Sequence, residues 1–169
     1  MLIGGPSGVG KSTVAVEVSE LLRRRDTAHS LIECDFLGHL HPAPPDDPDR
    51  SAITERNLAA VWANHAALGH HRLVYTNTVS VLEEPMFRRA MGPGGPLTVA
   101  RVLLTAEPAV LRERLGRRES GSGLAPHLER SLRAAERLAA EAPTGTVRIR
   151  TDGREPIDIA REVLRAAGW

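Results

Sequence analysis

Lysine is almost absent from this chain of 169 residues, because its 22 strongly basic residues include a single lysine, Lys11. A flexible ammonium group is therefore present at one position only, whereas every other strongly basic side chain is a rigid guanidinium. An excess of positive charge is also missing, since the formal net charge is +1. This balance argues against dedicated nucleic-acid binding, which usually depends on a strong basic excess.

Cysteine and long apolar runs are scarce as well. Cys34 is the only cysteine, so no internal disulfide can form, and this favours a reducing compartment. No apolar run approaches the length of a membrane span, and no basic segment precedes a long apolar one near the N-terminus. We therefore predict a cytoplasmic protein without a membrane partner, organised as one domain over residues 1–169.

A glycine-rich motif, GPSGVGKST, occupies residues 5–13. It follows a short apolar run and precedes an amphipathic helical pattern, which is the strand, turn and helix order of a phosphate-binding loop. The backbone amides of such a loop and the N-terminus of its helix bind anions, the lysine contacts the β- and γ-phosphates, and a hydroxyl binds Mg²⁺. The predicted ATP-binding residues are Gly5, Ser7, Gly8, Val9, Gly10, Lys11, Ser12 and Thr13, with Lys11 also catalytic and Ser12 a metal ligand.

Segments with strand patterns alternate with helical patterns along the rest of the chain. Strands are expected at about 1–4, 28–33, 72–79, 98–105 and 146–151, and helices at about 12–25, 51–68, 82–91, 108–118, 126–142 and 156–168. Ser51 is the expected N-terminal cap of the second helix. The alternation predicts the α/β class, with a parallel sheet covered on both faces in one doubly wound domain.

Asp35 directly follows the second predicted strand. Ligands of open α/β sheets bind at the carboxyl ends of the strands, so Asp35 is expected in the crevice of Lys11. Its carboxylate is placed either to accept a proton from an acceptor hydroxyl or to hold Mg²⁺ through water, and capping a turn is the structural alternative. Arg50, Arg56 and Asn77 are weaker candidates for contacts with the acceptor.

Arginines crowd the helix after the fourth predicted strand, at positions 112, 114, 117 and 118. Arg114 and Arg118 are four residues apart and share one face of that helix. The glycine-containing segment that follows predicts a lid at about 117–128. On a lid, Arg114 and Arg118 would neutralise the charge of a transferring phosphoryl group, whereas the alternative is a solvated helix face paired with Glu113 and Glu119.

With these features the chain resembles the small P-loop kinases of metabolites and nucleotides, such as gluconate kinase, shikimate kinase and chloramphenicol phosphotransferase. Residues 103–115 are similar to the passage from strand four to the lid of this group, and residues 151–156 to its adenine-side loop. The resemblance implies a P-loop NTPase of the nucleoside and shikimate kinase type, with three layers and strand order 2-3-1-4-5. It also implies ATP and Mg²⁺ as cofactors, ATP contacts at Arg114, Asp152 and Gly153, and Asp35 as the acceptor-side carboxylate.

Within this group, residues 34–37 and 46–50 are most similar to gluconate kinase, although Gly38 stands where that family has a histidine. We expect transfer of the γ-phosphate of ATP to a hydroxyl group of a small metabolite or antibiotic, by a monomer or a homodimer. Two alternatives stay open. One is a nucleotide or nucleoside kinase, and the other is a nucleotide-binding accessory ATPase without a phosphoryl acceptor.

Overall fold

A computed structural model describes residues 1–92, 96–118 and 123–169 of the chain. The strands are β1 (Leu2–Gly4), β2 (Ser30–Glu33), β3 (Leu73–Thr76), β4 (Arg101–Thr105) and β5 (Val147–Arg150). The helices are α1 (Lys11–Arg24), α2 (Ser51–Ala67), α3 (Glu84–Met91), α4 (Pro108–Arg118), α5 (Leu124–Glu141) and α6 (Pro156–Ala167). Single 3₁₀ turns at Cys34–Phe36 and Ser80–Leu82 follow the second and third strands.

The five strands form one sheet in the order β2-β3-β1-β4-β5, and every neighbouring pair is parallel. This confirms the fold class and the strand order predicted from the sequence. The short strand β1 lies at the centre, where Leu2 pairs with Tyr75 on one side and Arg101 on the other. All five strands therefore end at the same edge of the sheet, and the loops that follow β1, β2 and β3 start side by side.

Helices cover both faces of the sheet because alternate strand residues point to opposite sides. On one face, Ile3 and Val74 pack in a core cluster with buried residues of α1 and α6. On the other face, Leu2 and Tyr75 pack with Leu58 of α2 and with buried residues of α3. None of the described helices combines the length and the hydrophobicity needed to cross a bilayer.

The predicted cap of α2 is wrong. Arg50, not Ser51, is the N-cap residue, and its backbone lies in the left-handed region with a φ of 59°. The carboxylate of Asp47 instead accepts hydrogen bonds from the backbone N–H groups of Ile53, at 2.9 Å, and Ala52, at 3.1 Å. These bonds, with that of Ile53 the strongest influence, hold the pKa of Asp47 below its ordinary value of 3.8.

Candidate functional site

The glycine loop between β1 and α1 adopts conformations that require glycine. Gly10, the N-cap residue of α1, has a φ of 102°, in the left-handed region that side chains disfavour. A Cβ atom on Gly5 would lie 2.7 Å from the backbone oxygen of Leu104, so β4 also leaves no room for a side chain there. Val9 points its side chain into the core and is fully buried. Its contribution to a ligand would therefore come from its backbone.

Lys11 lies inside this loop, with its ammonium group folded back onto the backbone. Nζ donates to the carbonyl oxygens of Gly5, at 2.9 Å, and Pro6, at 3.2 Å. Burial lowers the pKa of Lys11 from 10.5 to about 8, although the negative charges of Asp35 and Glu33 oppose this change. The site thus holds a partly desolvated cation whose charge a bound anion would stabilise.

We call the space above the loop the phosphate-loop cavity, and its volume is about 570 Å³. Most of the predicted ATP and catalytic residues line it, namely Ser7, Gly8, Val9, Gly10, Lys11, Ser12, Thr13, Asp35, Arg114 and Arg118. Gly5 does not line the cavity but contributes one of the two carbonyl oxygens that bind Lys11. The structure therefore brings together residues from the glycine loop, the end of β2 and helix α4.

The two lining arginines differ in their surroundings. Arg114 is half-buried and donates to the carbonyl oxygen of Val9 at 3.2 Å, and to the hydroxyl and carbonyl oxygens of Thr151 at 2.9 and 3.0 Å. Arg118, one helical turn later, is exposed at the cavity wall. Arg117 points elsewhere and pairs with Glu113 on the surface. Arg114 is thus fixed between the glycine loop and the end of β5.

The predicted adenine-side residues Asp152 and Gly153 do not line the cavity, whereas their neighbours Thr151 and Arg154 do. Asp152 accepts a hydrogen bond from the backbone N–H of Glu107 at 2.9 Å, and so joins the loop after β4 to the loop after β5. Its contact in this structure is therefore with the protein itself. A role of Asp152 and Gly153 toward ATP stays a prediction.

A second space, which we call the groove, lies beside the phosphate-loop cavity and has a volume of about 910 Å³. Asp35 is the one described residue that lines both spaces. Arg50 and Asn77, two of the predicted acceptor residues, line the groove as well. Arg56 is exposed on α2 and lines neither space. Asp35 therefore stands at the boundary between the phosphate-binding loop and a separate space large enough for a second ligand.

Glu33 and Glu83 are among the carboxylates of these spaces that were missed from the sequence. Glu33, the last residue of β2, lines the phosphate-loop cavity, and its buried Oε1 atom has no hydrogen-bond partner among the described residues. Glu83 lines the groove and accepts a hydrogen bond from Asn77 Nδ2 at 2.9 Å, while burial raises its pKa. The strand-end argument that selected Asp35 applies equally to Glu33, two residues earlier. Glu83 has no comparable signal, because it precedes a short helix.

Oxygen ligands that suit Mg²⁺ are present in the phosphate-loop cavity. Ser12, Asp35 and the unpartnered carboxylate of Glu33 all line it, and hydroxyl and carboxylate oxygens are the donors that Mg²⁺ prefers. Among the described residues no cluster of three or more His, Cys, Asp or Glu side chains could hold a metal by itself. A metal ion here would therefore depend on ligand phosphates for part of its coordination.

The lid predicted at about 117–128 includes residues 119–122, which lie outside the described residues. On either side of that gap, Arg118 ends α4 and Leu124 begins α5. The side chain of Ser131, on α5, donates to the carbonyl oxygen of Ser7 at 2.8 Å. Helix α5 is therefore held against the glycine loop.

Solved structures with the same fold cover almost all of this chain. A gluconokinase from Sinorhizobium meliloti 1021 is 24% identical, with 99% of this chain and 90% of that chain covered and a TM-score of 0.60. A tunicamycin resistance protein from Deinococcus radiodurans is 20% identical, with coverage of 99% and 94% and a TM-score of 0.65. A shikimate kinase from Acinetobacter baumannii in complex with shikimate is 18% identical, with coverage of 97% and 89% and a TM-score of 0.55.

These matches confirm the resemblance to small P-loop kinases at the level of the fold. No curated protein matches the sequence. A family model described as an AAA domain matches residues 1–138, which include the glycine loop, Asp35 and the helix that carries Arg114 and Arg118. The chain therefore belongs to this AAA domain family.

Proposed function

We propose that this protein is an ATP- and Mg²⁺-dependent phosphotransferase that moves the γ-phosphate of ATP to a hydroxyl group of a small metabolite or antibiotic. The observation that carries this proposal is the position of Asp35, which lines both the phosphate-loop cavity and the groove. A kinase needs two ligands that meet at one point, and the boundary between these spaces offers such a point.

The phosphate-loop cavity would hold ATP. The loop amides and the N-terminus of α1 bind the phosphates, and Lys11 adds a cation that burial has already desolvated. Arg114 holds the loop against β5 through Val9 and Thr151, while the more exposed Arg118 neutralises charge on the γ-phosphate. When bound, Mg²⁺ would be held by Ser12 directly and by Glu33 and Asp35 through water, and it would neutralise negative charge on the phosphates.

The groove would hold the acceptor with its reacting hydroxyl beside Asp35. The hydroxyl oxygen attacks the γ-phosphorus, the bond from that phosphorus to the β–γ bridging oxygen breaks, and ADP leaves. The hydroxyl proton passes to the carboxylate of Asp35, which also orients the hydroxyl for attack. Asn77 and Arg50 line the same groove and contact other parts of the acceptor. Arg56, which lines neither space, is given no role.

The fold neighbours support this proposal, because they are named as a gluconokinase, a shikimate kinase and a tunicamycin resistance protein. Their names also agree with a metabolite or an antibiotic as the acceptor. The Lys11 loop alone would serve an accessory ATPase equally well, so the groove distinguishes the two functions. We expect the protein to act in the cytoplasm.

The direct test is ADP release from Mg·ATP in the presence of a panel of sugar acids, neutral sugars, nucleosides, nucleotides and hydroxylated antibiotics. We expect at least one acceptor to raise ADP release well above the rate of ATP hydrolysis in water, with a stoichiometric phosphorylated product. Chelation of Mg²⁺ should remove this activity. ATP binding without acceptor-dependent release across the panel would contradict the proposal and favour the accessory ATPase.

A further inference from the structure

The charged residues of the groove select a chemical class of acceptor. We propose that the acceptor is a polyhydroxylated molecule without a carboxylate or phosphate group, whose hydroxyl or amino groups donate to the carboxylates of the groove. This inference rests on the proposed function, because it assumes that the groove holds the acceptor. It separates this protein from kinases of sugar acids and of nucleotides.

The arginines of the groove are already engaged by protein atoms. The guanidinium of Arg89 makes two bonds to the carboxylate of Glu55, Nε at 2.9 Å and Nη2 at 2.7 Å. Nε of Arg137 donates to Glu141 at 2.9 Å, and Nε of Arg50 donates to the carbonyl oxygen of Leu40 at 3.1 Å. To form paired bonds with Arg89, an acceptor carboxylate would therefore have to displace Glu55, while Arg137 and Arg50 each have one nitrogen, Nε, occupied by a protein acceptor.

The acids of the groove are less engaged. Asp35 and Asp49 are exposed, and no described arginine lies within ion-pair distance of either carboxylate. Glu83 is half-buried and has the Asn77 amide as its hydrogen-bond partner. These side chains are acceptors of hydrogen bonds when ionised, so they recognise ligand groups that donate. Asp35, Asp49 and Glu83 thus offer acceptor oxygens to a ligand in the groove.

The balance of charged groups in the groove also favours an acceptor without an anionic group. Four carboxylates, those of Asp35, Asp49, Glu55 and Glu83, face three guanidiniums, those of Arg50, Arg89 and Arg137. An anionic acceptor would bring like charge toward Asp35 and Glu83, and like charges in a partly desolvated site repel each other. A neutral polyol or an amino sugar avoids that repulsion and supplies donors. A nucleoside monophosphate, which needs free cations for its phosphate, fits the groove poorly.

The test compares acceptors in pairs that differ in charge. ADP release is measured with glucitol and glucosamine against gluconate, with nucleosides against their monophosphates, and with neutral or amine-bearing hydroxylated antibiotics. We expect the best acceptor to be non-anionic and its kcat/KM to exceed that of its anionic counterpart by at least about tenfold, the effect of removing one repulsive or unpaired charge. A best acceptor that is anionic overturns this inference but leaves the phosphotransferase intact. No acceptor-dependent release at all overturns the proposed function itself.

Variants of Glu55 and Glu141 test whether the ion pairs of the groove set the preference for a non-anionic acceptor. Glu55→Gln removes the carboxylate charge paired with Arg89, and Glu141→Gln independently removes the one paired with Arg137, so each leaves a guanidinium of the groove without its anionic partner. We expect either change to raise the relative kcat/KM of the anionic counterpart about fivefold or more. Glu20→Gln, which releases Arg23 and Arg24 on α1 outside both spaces, is the matched control and should change nothing. Unaltered selectivity in both folded groove variants would overturn the role assigned to the paired arginines.

Discussion

The phosphate-loop cavity and the groove meet at Asp35 but are built in different ways. The first is built around one continuous segment, residues 7–14, which contains a single lysine whose pKa burial lowers. The second is formed by side chains from separate elements, including α2, α3 and α5, and its arginines are tied to protein acceptors. The first space therefore depends mainly on a local loop, and the second on side chains that the fold brings together.

This difference indicates that acceptor specificity can change more easily than phosphate binding. Backbone amides in a glycine loop bind phosphate whatever the acceptor is, and they cannot be removed by substitution of a side chain. Side chains on separate helices can be replaced one at a time without disturbing the loop. A fold of this kind can therefore keep its nucleotide site while the acceptor changes, and function has to be inferred from the groove.

Substitution of the shared residue gives the largest expected effect. Asp35→Asn keeps the size of the side chain but removes its charge and its ability to take a proton, so phosphoryl transfer should fall by about 10²–10⁴-fold. ATP affinity should stay within about threefold, because the loop and Lys11 hold the phosphates. Steady-state kinetics and calorimetric titration of ATP measure the two quantities separately.

Asp46→Asn, in the exposed loop before α2, is the matched control for Asp35→Asn and should leave both quantities unchanged. A parallel loss of Mg·ATP affinity and turnover in Asp35→Asn would make Asp35 mainly a metal ligand. Unchanged turnover would remove Asp35 from the site and break the link between the two spaces.

Lys11→Met tests the phosphate-loop cavity alone. Loss of the buried cation should weaken ADP binding by about 10²-fold, as expected when one partner of a desolvated charge pair is removed. The melting temperature of the ligand-free protein should change little, because the carbonyl oxygens of Gly5 and Pro6 lose a donor while the cost of burying a charge disappears. Arg112→Met, on the exposed part of α4, controls for loss of a cation nearby. Nearly normal ADP affinity in a folded Lys11→Met variant would contradict the loop assignment.

Substitution of Arg114 should lower the stability of the protein, whereas substitution of Arg118 should lower turnover only. Arg114→Ala leaves the carbonyl oxygens of Val9 and Thr151 without their partner, which costs about 1–3 kcal/mol for a partly buried group. We expect a melting temperature lower by roughly 2–10 °C and weaker nucleotide binding. Arg118→Ala, which removes an exposed side chain, should reduce turnover while the melting temperature stays the same. Thermal unfolding and kinetics of both variants make the comparison, and equal melting temperatures would contradict it.

The smallest effect concerns the segment beside the groove. Asp47 caps α2, and its pKa is lowered in the folded protein, so its contribution to stability is present above about pH 4 and is lost as the pH falls through its folded pKa. Asp47→Ala should lower the melting temperature at pH 7 by a few degrees, and the difference from the unaltered protein should shrink in acid. Turnover per folded molecule should not change. A constant difference down to pH 2 would contradict capping by an ionised carboxylate.

The sheet and the glycine loop could be predicted from sequence because their signals are local. Strand and helix patterns alternate and predict the parallel sheet, residues 5–13 carry their motif in one segment, and the resemblance to small P-loop kinases implied the strand order. The cap of α2 was missed because the capping residue, Asp47, lies outside the helix. Arg50, between them, has a left-handed backbone conformation that the sequence pattern does not reveal. Glu83 was missed because only the folded chain brings it beside Asn77 and Asp35.

A phosphate site at the glycine loop is tested most directly by the pKa of Lys11, which can be measured because the chain has a single lysine. Protein labelled with ¹³C at lysine Cε should give one NMR signal, which Lys11→Met removes, and its chemical shift followed against pH gives the pKa. We expect a pKa of about 8 without ligand, against an ordinary value of 10.5, and a rise by about 1–3 pH units when Mg·ADP brings phosphates to the ammonium group. A pKa near 10.5 that nucleotide does not alter would place Lys11 in solvent and contradict a phosphate site at this loop.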